Sequence, residues 1–391
     1  MSRKYVILRT DKPRQTRSTP RAGAAAAAPA ESPRVEVDEL EPKRAAKLAQ
    51  EKDTSVALVI PMKLIEPFDD GPNAQPAAPG PTWGVKAVGA DTSPFTGAGI
   101  VAAILDTGID PAHPAFAGVQ LERRNFTSES DNDQHGHGTH CAGTVFGRDV
   151  DGTRIGVAPG ITKAFIGKVL GSGGGGSDQI AQAIQWAVNG GANVISMSLG
   201  IDFPGFVKEL EADGLPTELA TSVALEGYRT NVLLFERLAS FIAAQGAFGS
   251  TAILVAAAGN ESQREVNADF EISVSPPAVA DGVVSVAALG ASAQGFTVAD
   301  FSNVGARLSG PGVNIQSARV GGGLRSMSGT SMATPHVAGV AALWAQKLVG
   351  ENQLNGQLLA ARLVSSATTS GMSTGFDPGD IGAGMVQSPQ N

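Results

Sequence analysis

The sequence predicts an α/β fold built on a doubly wound, mainly parallel sheet flanked by helices. Two patterns carry that expectation. Short, nearly unbroken apolar runs such as "GIVAAILD" and "AILVAAA" read as strands buried on both faces of a parallel sheet. These runs alternate with segments of helical spacing, as βαβ units do. Composition agrees: 49 glycines in 391 residues and 5% aromatics suit tight turns and close helix–strand contacts.

Residues 1–82 differ in character from the rest. "YVILRT" reads as a strand, "RAGAAAAAPAESP" (residues 21–33) as an Ala/Pro-biased flexible stretch, "EVDELEPKRAAKLAQEKD" as mixed charge at helical spacing, and "SVALVIPMKLI" as a strand. "GPNAQPAAPGPTW" (residues 71–83) is a Pro/Gly linker. A large domain, residues 83–391, follows. Its expected strands are "GIVAAILDTGI", "AFIGKVL", "ANVISMSLG", "AILVAAAGN" and "GVVSVAALG". Helices are expected at "GTHCAGTVFG", at "DQIAQAIQWAVNG", capped by Asp178 and ended by Gly190, and at "ERLASFIAAQG". Residues 201–235 are long for a βα connection and read as an insertion with one or two amphipathic helices, either scaffold or a rim of the site.

A net charge of -8 leaves no basic stripe for nucleic acid. No window approaches a membrane span, and the apolar run "YVIL" is too short for the core of a signal peptide. The expectation is a monomer without an ordinary secretion signal, cytoplasmic or exported by another route. A single cysteine, Cys141, excludes an internal disulfide framework.

Three of the five histidines crowd into "DQHGHGTHCAGTV": His135, His137 and His140. Either they converge on a metal, or one of them transfers protons. Two other segments weigh on the choice. "LDTGID" places Asp106 at the end of an apolar strand, and "SMSGTSMATPHVAG" places Ser331 at the start of a helix, with Pro335 in what reads as its first turn. Alone, such an Asp is a turn former and such a Ser a helix cap. Together, acid, base and nucleophile are the parts of a catalytic triad, which the metal reading leaves unexplained. His140 then reads as a core hydrogen-bonding residue, His135 as a solvated loop residue, His336 as a packed structural residue, and Cys141 as a small buried hydrophobe.

These segments resemble those of the subtilisin-type serine peptidases, and "GHGTHCAGTV" with "GTSMATPHVAG" is most similar to the proteinase K-like branch. The resemblance runs over about 300 residues, from near Trp83 to the C-terminus. It implies a serine endopeptidase working through an acyl-enzyme, made as a zymogen. Asp106 would orient His137, His137 would take the proton of Ser331, and Asn260 of "AAAGN" would donate to the oxyanion. Two edges would flank an extended peptide: Gly174, Gly175 and Gly176 of "KVLGSGGGGSDQ", and Ser198, Leu199 and Gly200 of "SLG". The first specificity pocket would be lined by Ser198 to Gly200, by Ala257, Ala258 and Gly259, and by Ser275, with Glu261 at its rim.

The chemistry requires no cofactor and no catalytic metal. Structural calcium occurs in the family, but its usual sites are not matched: Ala115 and Arg307 stand where carboxylates are usual, and a calcium-binding insertion is missing after "GTVFG". The acidic "SESDNDQ" (residues 128–134) reads as a solvated loop or a surface calcium site. The expected partners are protein or peptide substrates and the chain's own N-terminal prosegment as inhibitor, released by a cut in the linker that would leave an N-terminus near residues 78–84. Three other readings stay open: a narrow processing peptidase, a non-catalytic binding module that retains the fold, and a non-proteolytic esterase.

Overall fold

The computed structural model describes residues 2–9, 34–69, 79–245 and 251–391. At its centre is an eight-stranded sheet. Seven strands run in the order Gly295–Val298, Val283–Ser292, Ile253–Ala257, Val194–Met197, Val101–Asp106, Lys163–Lys168 and Gln120–Asn125, and Leu308–Pro311 pairs beside Val283–Ser292. Every pairing is parallel except the hairpin of Val283–Ser292 with Gly295–Val298.

Helices cover both faces, which is why the central strands Val101–Asp106, Val194–Met197 and Ile253–Ala257 are almost wholly apolar, while the edge strand Gln120–Asn125 is polar. Ala102 and Ile104 join a core with the helices His137–Phe146 and Thr330–Gly350. Their neighbours Ala103 and Leu105 join another with the helices Ser177–Asn189 and Thr217–Gln245. In such sheets the carboxyl ends of the strands form the crevice, and Asp106 stands at one of those ends.

The N-terminal unit is a three-stranded antiparallel sheet in the order Arg34–Leu40, Arg3–Arg9, Thr54–Leu58, with the helix Pro42–Leu48 packed on it. Side chains alternate across the sheet as strand geometry requires. Ile7 packs with Leu40 and Ala45, whereas Val6, Leu8, Ala57 and Leu58 enter the core that contains the helix Thr217–Gln245.

Several local expectations need correction. "EVDEL" is strand, because Val35 and Val37 recur at spacing two and pair with Arg3–Arg9. "SVALVIPMKLI" splits into Thr54–Leu58 and Pro61–Leu64, which serve different sheets. The helix over "ERLASFIAAQ" is not separate. It continues one helix from Thr217, since no proline interrupts and Ala220, Ala224, Leu234, Leu238 and Ile242 keep one side buried. Gly227 within it admits the N-terminal unit: a Cβ there would lie 2.9 Å from Ile60 Cγ2. The helix Ser177–Asn189 is capped at Gly176, whose N–H donates to Gln179 Oε1, while Asp178 lies in the first turn and pairs with Lys4. The flexible stretch at residues 21–33 and most of the linker, residues 71–78, lie outside the described residues. Among the described residues no helix is long and apolar enough to cross a membrane.

Candidate active site

Asp106 and His137 meet because the strand Val101–Asp106 runs into the N-terminus of the helix His137–Phe146. The approach depends on Gly138, where a Cβ would fall 2.2 Å from Gly108 O. Asp106 Oδ1 lies 2.7 Å from His137 Nδ1 and accepts the Thr107 N–H at 2.7 Å. Both side chains are buried. Burial alone would push the imidazole pKa down, but the Asp106 carboxylate outweighs it and holds His137 well above its ordinary value.

Ser331 sits in the first turn of the helix Thr330–Gly350, after Gly329. Pro335 is not in that turn, as the sequence suggested, but inside the helix. A proline there frees the carbonyl four residues back, which is that of Ser331. Two side chains satisfy it: Ser198 Oγ donates at 3.2 Å and Cys141 Sγ at 3.4 Å. Asn260 is held from its oxygen side, where Oδ1 accepts from Thr330 N at 2.9 Å and Thr330 Oγ1 at 2.8 Å. That orientation turns the amide group of Asn260 into the cleft, where Nδ2 donates to Glu66 O at 2.9 Å.

The cleft is filled by the chain itself. The strand Pro61–Leu64 lies antiparallel between the two predicted edges: Pro61 and Met62 pair with Gly176 and Gly175, and Met62, Lys63 and Leu64 pair with Ile201, Gly200 and Leu199. Gly174 adjoins Met62, where a Cβ would come within 2.5 Å of its carbonyl oxygen. Ile65 N–H reaches Ser198 O at 3.5 Å, and Ser331 Oγ donates to Ile65 O at 2.8 Å. Ile65 is 2% exposed and its side chain lies against Gly200, which also adjoins Ser275 Oγ. Ala257 and Ala258 are buried at the end of the strand Ile253–Ala257, and Ala258 O accepts the Ser275 N–H. Gly259 bends away at φ 116°. Past Glu66 the chain continues as Phe68–Asp69, antiparallel to Met327–Ser328.

Residues 97–382 match the model of the subtilase family. The chain belongs to the subtilase family. It is 36% identical over 276 residues to M-protease of Shouchella clausii strain KSM-K16, covering 68% of this chain and 60% of that protein. The identity to Subtilisin Savinase of Lederbergia lenta is likewise 36% over 276 residues, covering 68% of this chain and 84% of that one. Subtilisin-like protease 6 of Trichophyton verrucosum is 32% identical over 311 residues, covering 76% and 65% respectively. The chain thus spans less than two thirds of the length of two of these three subtilases.

Of the other histidines of this subtilase, His135 meets His137 edge-on with ring centroids 6.1 Å apart, whereas His113, His140 and His336 bond backbone carbonyls elsewhere. His140 Nε2 lies 2.9 Å from Ile315 O, and burial pushes its pKa down to about 3. His336 Nδ1 lies 2.8 Å from Met332 O, and burial pushes it down to about 4. Both are neutral at ordinary pH. His135 is half exposed at the cleft, 3.6 Å from Glu66. Among the described residues, the one group of side chains that brings metal-ligating atoms together is Asp106, His137 and Cys141. Cys141 is buried, as expected, with Sγ 3.8 Å from His137 Nδ1.

The acidic loop 128–134 is not simply solvated. Glu129 accepts from Ser172 N at 2.7 Å and lies 3.6 Å from the buried Lys168 ammonium. Arg307 pairs with Asp281 at 3.0 Å. Near the missing insertion, the Arg148 guanidinium donates to the carbonyls of Phe146, Pro159 and Ile161.

Two residues of the site escaped sequence reading. Thr330 positions Asn260 as described. Asp133, 4% exposed, accepts from Thr107 Oγ1, His135 N, Gly136 N, Thr139 N and Thr139 Oγ1, and so shapes the loop that delivers His137. Burial pushes its carboxyl pKa up, but these hydrogen bonds outweigh that and hold it below the ordinary value. Its position at the start of "DQHGHGTH" was the available signal. It looked like one more acidic loop residue.

Proposed function

We propose that this subtilase is a serine endopeptidase that cleaves extended polypeptides, and that its own N-terminal unit holds it inhibited until that unit is cut away. One observation carries the reading: Pro61–Leu64 runs as an added strand between both cleft edges and delivers the Ile65 carbonyl to Ser331. A substrate would bind in the same way, held by main-chain hydrogen bonds that tolerate many sequences.

In the proposed reaction Ser331 Oγ attacks the carbonyl carbon while its proton passes to His137 Nε2. Asp106, bonded to Nδ1, stabilises the imidazolium that forms. Asn260 Nδ2 and the amides of the first turn of the Ser331 helix stabilise the oxyanion. Collapse of the tetrahedral intermediate breaks the C–N bond, and the leaving amine takes the proton from Nε2. Water, deprotonated by the same imidazole, then hydrolyses the ester to carboxylate and free serine. No step calls on a cofactor.

The bound segment also supports a reading of which bond is presented to Ser331. Ile65 is buried in the first pocket while the Glu66 side chain is 71% exposed, so the pocket reads Ile65 and the presented bond is Ile65–Glu66. That lies upstream of the linker, where the cut was expected. Asn260 meanwhile bonds the carbonyl of Glu66, one residue beyond the one to be attacked. Cleavage therefore requires the segment to shift until Asn260 reaches Ile65 O, which accounts for a segment that inhibits before it is cut.

Full-length protein and its Ser331→Ala variant test this. The wild type is expected to digest casein, to react with a fluorophosphonate at Ser331, and to yield a fragment beginning at Glu66 by mass spectrometry. The variant should remain intact and inactive. A wild type that neither reacts nor cuts any protein would overturn the reading.

A further inference from the structure

We infer that Asp202 and Glu261 form an acidic subsite that selects lysine or arginine at the third residue before the cleaved bond. The inference rests on the endopeptidase reading above and specifies which polypeptides that site prefers. With Ile65 in the first pocket, the third residue back is Lys63, opposite Gly200. Its neighbours Met62 and Leu64 are buried, as strand alternation against an apolar cleft allows, whereas the Lys63 side chain is 40% exposed. The Lys63 ammonium lies 3.3 Å from Glu261 Oε1 and 3.8 Å from Asp202 Oδ1.

The two carboxylates come from separate segments of the chain and are held by groups other than the lysine. Asp202 directly follows the edge strand Leu199–Ile201 and caps the helix Phe203–Ala212, accepting the Gly205 N–H at 3.2 Å. Glu261 directly follows Asn260, and its Oε2 accepts from Asn303 Nδ2 at 2.8 Å. Their geometry therefore survives departure of the N-terminal unit. Of the ion pairs among the described residues, each of the two carboxylates has only the one with Lys63. Once that lysine leaves, two like charges face the same point of the cleft, and a substrate cation there relieves them. Such half-exposed pairs are individually weak and salt-sensitive, so the subsite grades substrates rather than gating them.

The test uses full-length protein and fluorogenic peptides of the sequence Met-Xaa-Leu-Ile-Glu-Pro, where Xaa is Lys, Ala or Glu. The expected kcat/KM for the Lys peptide exceeds that for Ala by about 3- to 10-fold at low salt, with Glu the poorest. The Lys/Ala ratio should fall toward one in 0.5 M NaCl, and also in the combined Asp202→Asn, Glu261→Gln variant. Hydrolysis of casein or the Ala peptide without a Lys preference overturns the subsite and leaves the endopeptidase reading standing. A preference undiminished in the combined variant also overturns it. If neither peptides nor casein are cut, both readings fall.

Discussion

Ser331 Oγ donates its hydrogen bond to the carbonyl of Ile65, at 2.8 Å, while Nε2 of the buried His137 has no hydrogen-bond partner. Under the proposed reaction, the nucleophile is thus engaged by the resident segment rather than by its base, and release of that segment would free the hydroxyl to turn to His137.

Ile65 adds a fully buried side chain to the main-chain pairing that holds the segment. Truncating a buried isoleucine to alanine removes about 2–4 kcal/mol. In freshly purified full-length Ile65→Ala protein, the initial rate on a short fluorogenic peptide should rise about tenfold or more over the wild type. An unchanged initial rate would show that the segment does not restrain the site through this side chain.

The acid limb of activity belongs to His137. Its folded pKa is raised by Asp106, and catalysis needs the neutral imidazole, so kcat/KM falls as pH drops through that raised value. Asp106→Asn should lower kcat by about 10⁴ and move the residual limb to lower pH. A pH–rate profile of the variant with an unmoved limb would dissociate Asp106 from the protonation of His137.

Asp133 should matter most to stability. Replacing it by alanine leaves buried donors unpaired and is expected to cost about 3–5 kcal/mol at pH 7. Because its folded pKa is depressed below 3.8, its contribution is complete above that value and is lost as pH falls through the folded value. The gap in Tm between wild type and Asp133→Ala should therefore be constant near neutrality and narrow only in acid. Thermal denaturation at pH 7 and pH 3 measures it.

Cys141 offers a reporter inside the site. A mercurial on its sulfur would sit beside His137 Nδ1 and displace the thiol from Ser331 O, at 3.8 and 3.4 Å respectively. Activity should be lost, and Cys141→Ala should resist, since Ser198 Oγ still serves that carbonyl. Full wild-type activity after stoichiometric mercuration would remove this expectation.

The Arg148 guanidinium donates to the carbonyls of Phe146, Pro159 and Ile161. Arg148→Ala should lower stability by about 1–3 kcal/mol, and EDTA should leave the wild-type Tm within about 2 °C. A large drop in Tm on chelation would point instead to a cation held elsewhere.

Local order makes much of this protein legible in its sequence. Apolar runs ending in Asp106 or leading to Asn260 declared a buried parallel sheet, because a strand covered on both faces needs no polar alternation. The stretches around His137 and Ser331 carry their chemistry in contiguous residues, so family and candidate triad could be read directly. The error over Pro335 was different in kind. Its tolerance depends on hydroxyl and thiol donors from Ser198 and Cys141, which are distant in sequence. Thr330 was missed for the same reason: its partner, Asn260, is far along the chain.

Only the folded arrangement decided what lies in the cleft. "VIPMKLIEPF" reads as an ordinary apolar strand, and nothing in its own pattern says which sheet it will join. A strand's backbone donors and acceptors accept any edge that is free and correctly spaced. The edges at Gly175 and Leu199 become neighbours only when the central sheet has closed around Asp106. Motifs specify chemistry through adjacent residues, whereas occupancy of a cleft is set by pairings across the whole chain.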